Sequence, residues 1–310
     1  MKMVTGDRRT LLASRAALAS VALALLLLTA KAWAALQTGS TAMLGSLADT
    51  GLDVIASLVT LAGIRMAAIP ADHDHRFGHG KAEALVSMAQ VVLIVISALA
   101  IGYRAALRLT EGGTTDDLGL GVGVSLAAMA GTLLLLWYQR RVIAQTGSVA
   151  IQTDNVHYQS DLLLNFAVIL ALVLDQALRV QGADAIFGIA IAAWLLFGAW
   201  RASSRAIDQL MDREWPEDQR QEFLAATRAY PELAGLHDLR TRTSGTHHFV
   251  QFHVWVPEDW TVREAHDRID PVEEALQRQF PGTEFLIHVD PEGHTDRETM
   301  LPSKLTESNT

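Results

Sequence analysis

The sequence predicts an α-helical membrane bundle of six transmembrane helices followed by a small soluble α+β domain of order αββαβ. Three observations carry that prediction. Half of the 310 residues are hydrophobic and only 19% are charged. Six apolar stretches are each long enough to cross a bilayer, which takes about 20 helical residues. After Asp208 the apolar runs stop, and short alternating segments separated by polar turns take over.

The six stretches lie near 11–36, 41–66, 82–107, 118–142, 149–176 and 183–204. Arg8 and Arg9 before the first would suit a secretory signal, but its apolar run is longer than a signal core. Basic residues set the orientation. Arg8, Arg9, Arg65, Arg76, Lys81, Arg140, Arg141, Arg201 and Arg205 all fall on one side if the N-terminus is cytoplasmic. Arg104, Arg108 and Arg179 fall opposite, accompanied by Glu111, Asp116, Asp117 and Asp184. Both termini are therefore expected in the cytoplasm.

In the soluble part, 216–229 reads as a helix with Pro at its start and acidic residues next. Segments 236–242 and 249–256 read as strands, the second alternating Phe-Val-Gln-Phe-His-Val-Trp-Val. A helix is expected over 261–280, where Thr261 and Glu264 form a capping-box pattern. A third strand is expected over 284–289. The implied organisation is a short segment 1–10, a membrane domain 11–207, a soluble domain 208–292 and a polar tail 293–310. The first 207 residues carry 13 acidic and 15 basic side chains, and the rest carry 21 and 10. That acidic second part argues against nucleic acid as a partner.

There is no cysteine, so neither disulfides nor thiolate metal sites are open to this chain. Any metal must be held by His, Asp and Glu, a ligand set for zinc-like or harder divalent ions. Ionisable residues at bilayer depth are costly and point to function. The second span carries Asp49 and Asp53, and the fifth carries His157 and Asp161. Each pair is spaced i,i+4 and shares a helix face. Counted from opposite ends, Asp49 and His157 lie about 12 Å deep, and Asp53 and Asp161 about 18 Å. In a core about 30 Å thick, antiparallel helices then put Asp49 level with Asp161, and Asp53 level with His157. Three carboxylates and one imidazole would make a tetrahedral site for a divalent ion. Because such ligands must be deprotonated to coordinate, binding would expel protons, which is the basis of metal–proton exchange. A polar clamp between helices is the structural alternative. Asp154, Asn155, Gln152 and Ser160 make the start of the fifth span polar, as a water route or, for Asp154, as a helix cap.

These residues bring a resemblance into view. Six spans, Asp-x-x-x-Asp, His-x-x-x-Asp, the loop Phe-Gly-His-Gly-Lys and a terminal αββαβ domain resemble the cation diffusion facilitator family, in its bacterial ferrous-iron/zinc efflux branch. The resemblance covers about 15–292. It implies a metallochaperone-like cytoplasmic domain, a homodimer in a bacterial inner membrane, and alternating access with proton antiport. Asp49, Asp53, His157 and Asp161 become the transport site. In the loop Ala-Asp-His-Asp-His-Arg-Phe-Gly-His-Gly-Lys, the resemblance places a second site at Asp72, His75 and His79. His73 and Asp74 are further donors there, and a solvated turn would read the same way. A cytoplasmic binuclear site is implied at His237, His253, His266, His288 and Asp290, and a salt bridge between Lys81 and Asp212. His247, His248 and His294 match nothing and are expected at the surface. The short connection near 145–148 sets the chain apart from vesicular relatives with a His-rich loop. Zinc is the expected cargo and bound ion, with ferrous iron or cadmium as alternatives. Rival readings are a membrane metalloenzyme, weakened by the lack of His-Glu-x-x-His, and a metal sensor or scaffold without flux.

Overall fold

The computed structural model describes residues 6–38, 41–111, 121–178, 183–245 and 247–294. Asp116, Asp117, Arg179 and the tail from 295 lie outside the described residues. The chain divides into two compact units, one built from Arg8–Ile207 and the other from Asp208 onward.

Six long helices precede the first strand: α1 (Gly6–Thr38), α2 (Thr41–Ala67), α3 (Ala82–Glu111), α4 (Gly121–Thr146), α5 (Val149–Leu178) and α6 (Ala183–Leu210). The shortest has 26 residues and so runs about 39 Å, past the hydrocarbon thickness of a bilayer. Among the described residues, stretches of α1, α2, α3 and α6 are long and apolar enough to cross one. Side chains such as Leu26, Trp33, Leu134 and Trp200 are exposed, as lipid-facing positions are in a helical bundle.

Two apolar clusters organise this unit. Ala13, Ala16 and Ala17 of α1 pack with Leu61 and Ile64 of α2, Val142 of α4 and Ile151 of α5. Separately, Val91, Ile94 and Ala98 of α3 pack with Ile191, Leu195 and Ala199 of α6. Gly63 lets α2 approach α3: a Cβ there would sit 2.2 Å from Cγ2 of Val86. The connection between α4 and α5 is only Gly147 and Ser148. Gly147 takes a positive φ of 67° and its N–H caps the Ile143 carbonyl. The Ser148 hydroxyl accepts from the Ile151 N–H and donates to buried Glu83 at the start of α3, 2.6 Å away.

The second unit has the expected αββαβ order. Helix α7 (Glu217–Thr227) leads through a 3₁₀ turn to β1 (His237–Ser244) and β2 (His247–Val256), and α8 (Val262–Gln279) leads to β3 (Thr283–Pro291). The sheet order is β1-β2-β3, with β1 antiparallel and β3 parallel to β2. A parallel pair needs a crossover, and α8 supplies it. Thr261 and Glu264 close the capping box at its start. Alternation sends Val250, Phe252 and Val254 of β2 to one face, where Phe223 of α7 and Ile269, Val272 and Leu276 of α8 cover them. His253 and Trp255 therefore lie on the other face.

One irregularity alters that face. The register runs His237↔His253 and then Arg240↔Gln251, so β1 carries one extra residue between them. Asp238, inside this bulge, takes a positive φ of 47°. Strict alternation would put His237 on the core side with Leu239 and Thr241. The bulge turns it over to stand opposite His253.

Candidate metal centres

Among the described residues, three groups of His and Asp side chains converge closely enough to share an ion. The first lies between α2 and α5. His157 Nε2 is 3.1 Å from Asp53 Oδ1 and 3.9 Å from Asp161 Oδ2. The i,i+4 spacing on α5 and the antiparallel approach of α2 produce this cluster. Asp49, one turn from Asp53, is exposed and does not join the three. It lines the same cavity, of about 370 Å³, with Lys31, Asp53, Arg104, His157 and Asp161. Lys31 and Arg104 are site residues that reasoning from carboxylates passes over. The signal that could find Lys31 is its position inside an apolar span, where a charge is costly.

Asp154 is neither a helix cap nor part of a wet route. Ser148 caps α5, and Asp154 is completely buried. Its carboxylate accepts from the Ser20 hydroxyl and the Gln139 amide, each at 2.7 Å, and from the Gln90 amide at 3.3 Å. Gln90 in turn donates to Thr60. One side chain thus ties α5 directly to α1, α3 and α4, and through Gln90 to α2.

The second group sits in the loop between α2 and α3. His75 Nδ1 and His79 Nε2 lie 3.3 and 3.5 Å from the Asp72 carboxylate. Asp72 Oδ1 also accepts the backbone N–H groups of His75 and Asp74 in a tight turn. The His75 N–H bond, more than any other interaction, holds this carboxyl below its ordinary value. His79 Nδ1 lies 3.3 Å from the Ile69 carbonyl, which can only accept, so Nδ1 donates there and Nε2 is the ring atom that faces Asp72. His73 and Asp74 are exposed and stand outside the group.

The third group lies on the open face of the sheet. Asp290 is buried at its centre, with His253 Nδ1 at 2.8 Å and His237 Nε2 at 3.4 Å from its Oδ2, while His288 Nε2 lies 3.3 Å from its Oδ1 and stands outside the convergent three. His237 donates from Nδ1 to the Gly235 carbonyl at 2.8 Å, which presents Nε2 to the cluster. Gly235 is required there: its φ is +75°, and a Cβ would sit 2.7 Å from the Trp255 ring. Asp238, which the sequence did not mark, stands 3.9 Å from His253 Nε2. His266 is exposed on α8, whose apolar side covers the opposite face of the sheet, and it does not join this cluster.

Burial alone would raise the Asp290 carboxyl, but the bond from His253 and the charge of His253, His288 and His237 outweigh it and hold the group low. A depressed folded value stabilises the fold above the ordinary carboxylate range, about pH 4, and that contribution disappears as pH falls through the folded value. Metal-free Asp290→Asn protein should therefore melt below the wild type at about pH 6, with the gap narrowing as pH falls below about 4. A constant gap in melting temperature across that window would refute the assignment.

The remaining positions are quickly placed. Asp212 faces Arg242 at 3.7 Å within the second unit, and Lys81 belongs to the first. His247 and His294 are exposed, as expected. His248 is not a surface residue: it is buried, edge-on to Trp215 at 5.4 Å, and bonded to Thr243. Alternation along β2 puts His248 on the core side with Val250, Phe252 and Val254, a periodicity that reading it as a surface residue overlooks.

Comparison with known proteins agrees with this architecture. Residues 17–211 match the family model described as the cation efflux transmembrane domain, and 215–292 match the cation efflux protein cytoplasmic domain. Cation-efflux pump FieF of Serratia proteamaculans is 41% identical over 280 residues, covering 90% of this chain and 93% of the relative. FieF of Escherichia fergusonii is 40% identical over 287 residues, covering 93% and 95%. A solved zinc-form structure of the zinc transporter CzrB is 36% identical and covers 28% of this chain and 99% of its own, with a TM-score of 0.26. The chain belongs to the cation diffusion facilitator family, the cation efflux proteins.

Proposed function

We propose that this protein exports a divalent metal cation, zinc foremost, from the cytoplasm in exchange for protons by alternating access. The observation that carries the reading is the Asp53–His157–Asp161 cluster opening into a cavity within a unit of long apolar helices. One imidazole and two carboxylates leave room for a further ligand, and Asp49 on the cavity wall is the side chain that could supply it. A metal entering this site displaces protons from its ligands, and its departure lets them return, which couples the two fluxes. Relatives at about 40% identity carry the name cation-efflux pump, which supports export over hydrolysis.

The loop group at Asp72, His75 and His79 serves as a second site, and the sheet cluster at His237, His253 and Asp290, with His288 beside it, as a regulatory one. His266 cannot reach that cluster across its own sheet, so a site shared between two copies of the chain is the arrangement in which it would serve. This supports a homodimer whose acidic domains are drawn together when metal cancels their repulsion. We place the protein in a bacterial inner membrane with both termini cytoplasmic, in agreement with its basic residues. Family resemblance alone supports a Lys81–Asp212 pair and ferrous iron or cadmium as further cargo.

Zinc flux in proteoliposomes under an imposed pH gradient tests the reading. Gradient-driven zinc movement that collapses when the gradient is dissipated is the expected result. Flux of iron or manganese but not zinc would change the cargo and keep the mechanism. No flux of any metal through folded protein would leave a sensor that binds without transporting.

A further inference from the structure

The cavity beside the Asp53–His157–Asp161 cluster contains fixed positive charge as well as acid. Lys31 reaches it from α1, seven residues before the helix ends at Thr38, or about 10 Å along the axis. Its Nζ donates to Thr50 Oγ1 at 2.6 Å. Thr50 is buried on α2 between Asp49 and Asp53, so the ammonium is anchored within the stretch that carries both carboxylates. Arg104 of α3 lines the same cavity but has no such anchor on α2 among the bonds described. Three carboxylates thus share the cavity with two cations.

An ammonium has no lone pair and cannot ligate a metal, so Lys31 is not a further member of the donor set. Nor is it needed to hold Thr50, whose hydroxyl could bond within its own helix. What it adds is charge. Without metal, it offsets the mutual repulsion of Asp49, Asp53 and Asp161 in a poorly hydrated place. With a divalent ion bound, it opposes that ion. A transport site must bind well enough to load and loosely enough to release.

We propose that Lys31 is a tethered counter-cation of the transport cavity, a positioning residue that limits metal affinity so that release is not rate-limiting. The proposal rests on the reading of Asp53, His157 and Asp161 as the transport site. Lys31→Gln removes the charge and keeps a donor for Thr50, whereas Lys31→Arg keeps the charge. In the full-length protein, zinc affinity at the membrane site should tighten about tenfold or more in Lys31→Gln. Its proteoliposome flux should show a lowered KM together with a lowered maximal rate, and Lys31→Arg should return both toward wild type.

Asp161→Ala alone and combined with Lys31→Gln complete the set. If Asp161→Ala leaves zinc affinity and flux unchanged, the reading of the site itself is wrong. If Asp161→Ala abolishes binding but Lys31→Gln binds zinc no tighter than wild type, only the counter-cation role fails. Equal damage in Lys31→Gln and Lys31→Arg would make Lys31 a matter of shape instead of charge. The tightening must also vanish in the double variant; tightening that survives there would overturn the proposal by placing the effect elsewhere.

Discussion

Asp53→Ala and Asp161→Ala should each bring metal flux into proteoliposomes down to the background of empty vesicles, while the proteins purify folded. Each removes one carboxylate from a cluster in which His157 Nε2 is 3.1 Å from Asp53 and 3.9 Å from Asp161. A site left with one imidazole and one carboxylate is far below the four donors a zinc-like ion prefers. Even with Asp49 drawn in from the cavity wall, such a site has three side-chain donors, one short of that set. Asp49→Ala should do less, since Asp49 is exposed along the cavity and outside the convergent three. Flux at wild-type level in both Asp53→Ala and Asp161→Ala would end the transport-site assignment.

The second large effect concerns folding. Asp154→Ala should destabilise the membrane unit by about 3–5 kcal/mol, because it removes the buried acceptor of three hydrogen bonds, from the Ser20 hydroxyl and the amides of Gln139 and Gln90, at about 1–2 kcal/mol each. Asp154→Asn should be nearly neutral. Its carbonyl can take the bonds from Ser20 and Gln139, and its new amide can donate to Gln90 Oε1, a buried acceptor with no partner at present. That exchange turns the Gln90 amide, and the Thr60 hydroxyl must then donate to it in place of accepting from it. Thermal unfolding of the two variants in detergent measures the difference. An alanine variant as stable as wild type would mean that the five-helix hub holds nothing together.

Much of this molecule is legible in its sequence because the relevant patterns are local. Apolar runs of membrane-spanning length specify helices wherever they occur, since no other single segment can satisfy its backbone in lipid. The alternation of 249–256 and the Thr261–Glu264 pair mark a strand and a helix start in the same local way. Helical arithmetic brings Asp53 level with His157, and the structure places those two in contact. The same arithmetic makes Asp49 and Asp161 equals, which they are not: Asp161 turns to the cluster and Asp49 faces the cavity. Depth along an axis is a local count, whereas the rotation of one helix against another depends on packing.

The sequence by itself determined the helical membrane unit, the αββαβ unit, the family, and the residue types able to hold a divalent ion. The tertiary structure decided which of them meet. His237 reaches His253 and Asp290 only because one extra residue in β1 reverses its face, an offset set by pairing with β2. Asp154 became a buried hub because Ser20, Gln90 and Gln139 converge on it from three other helices. Lys31 entered the acidic cavity because α1 lies against α2 at Thr50. Periodicity is written in neighbours along the chain, but a bulge, a rotation and a long-range hydrogen bond are fixed by partners distant in it, and those only folding supplies.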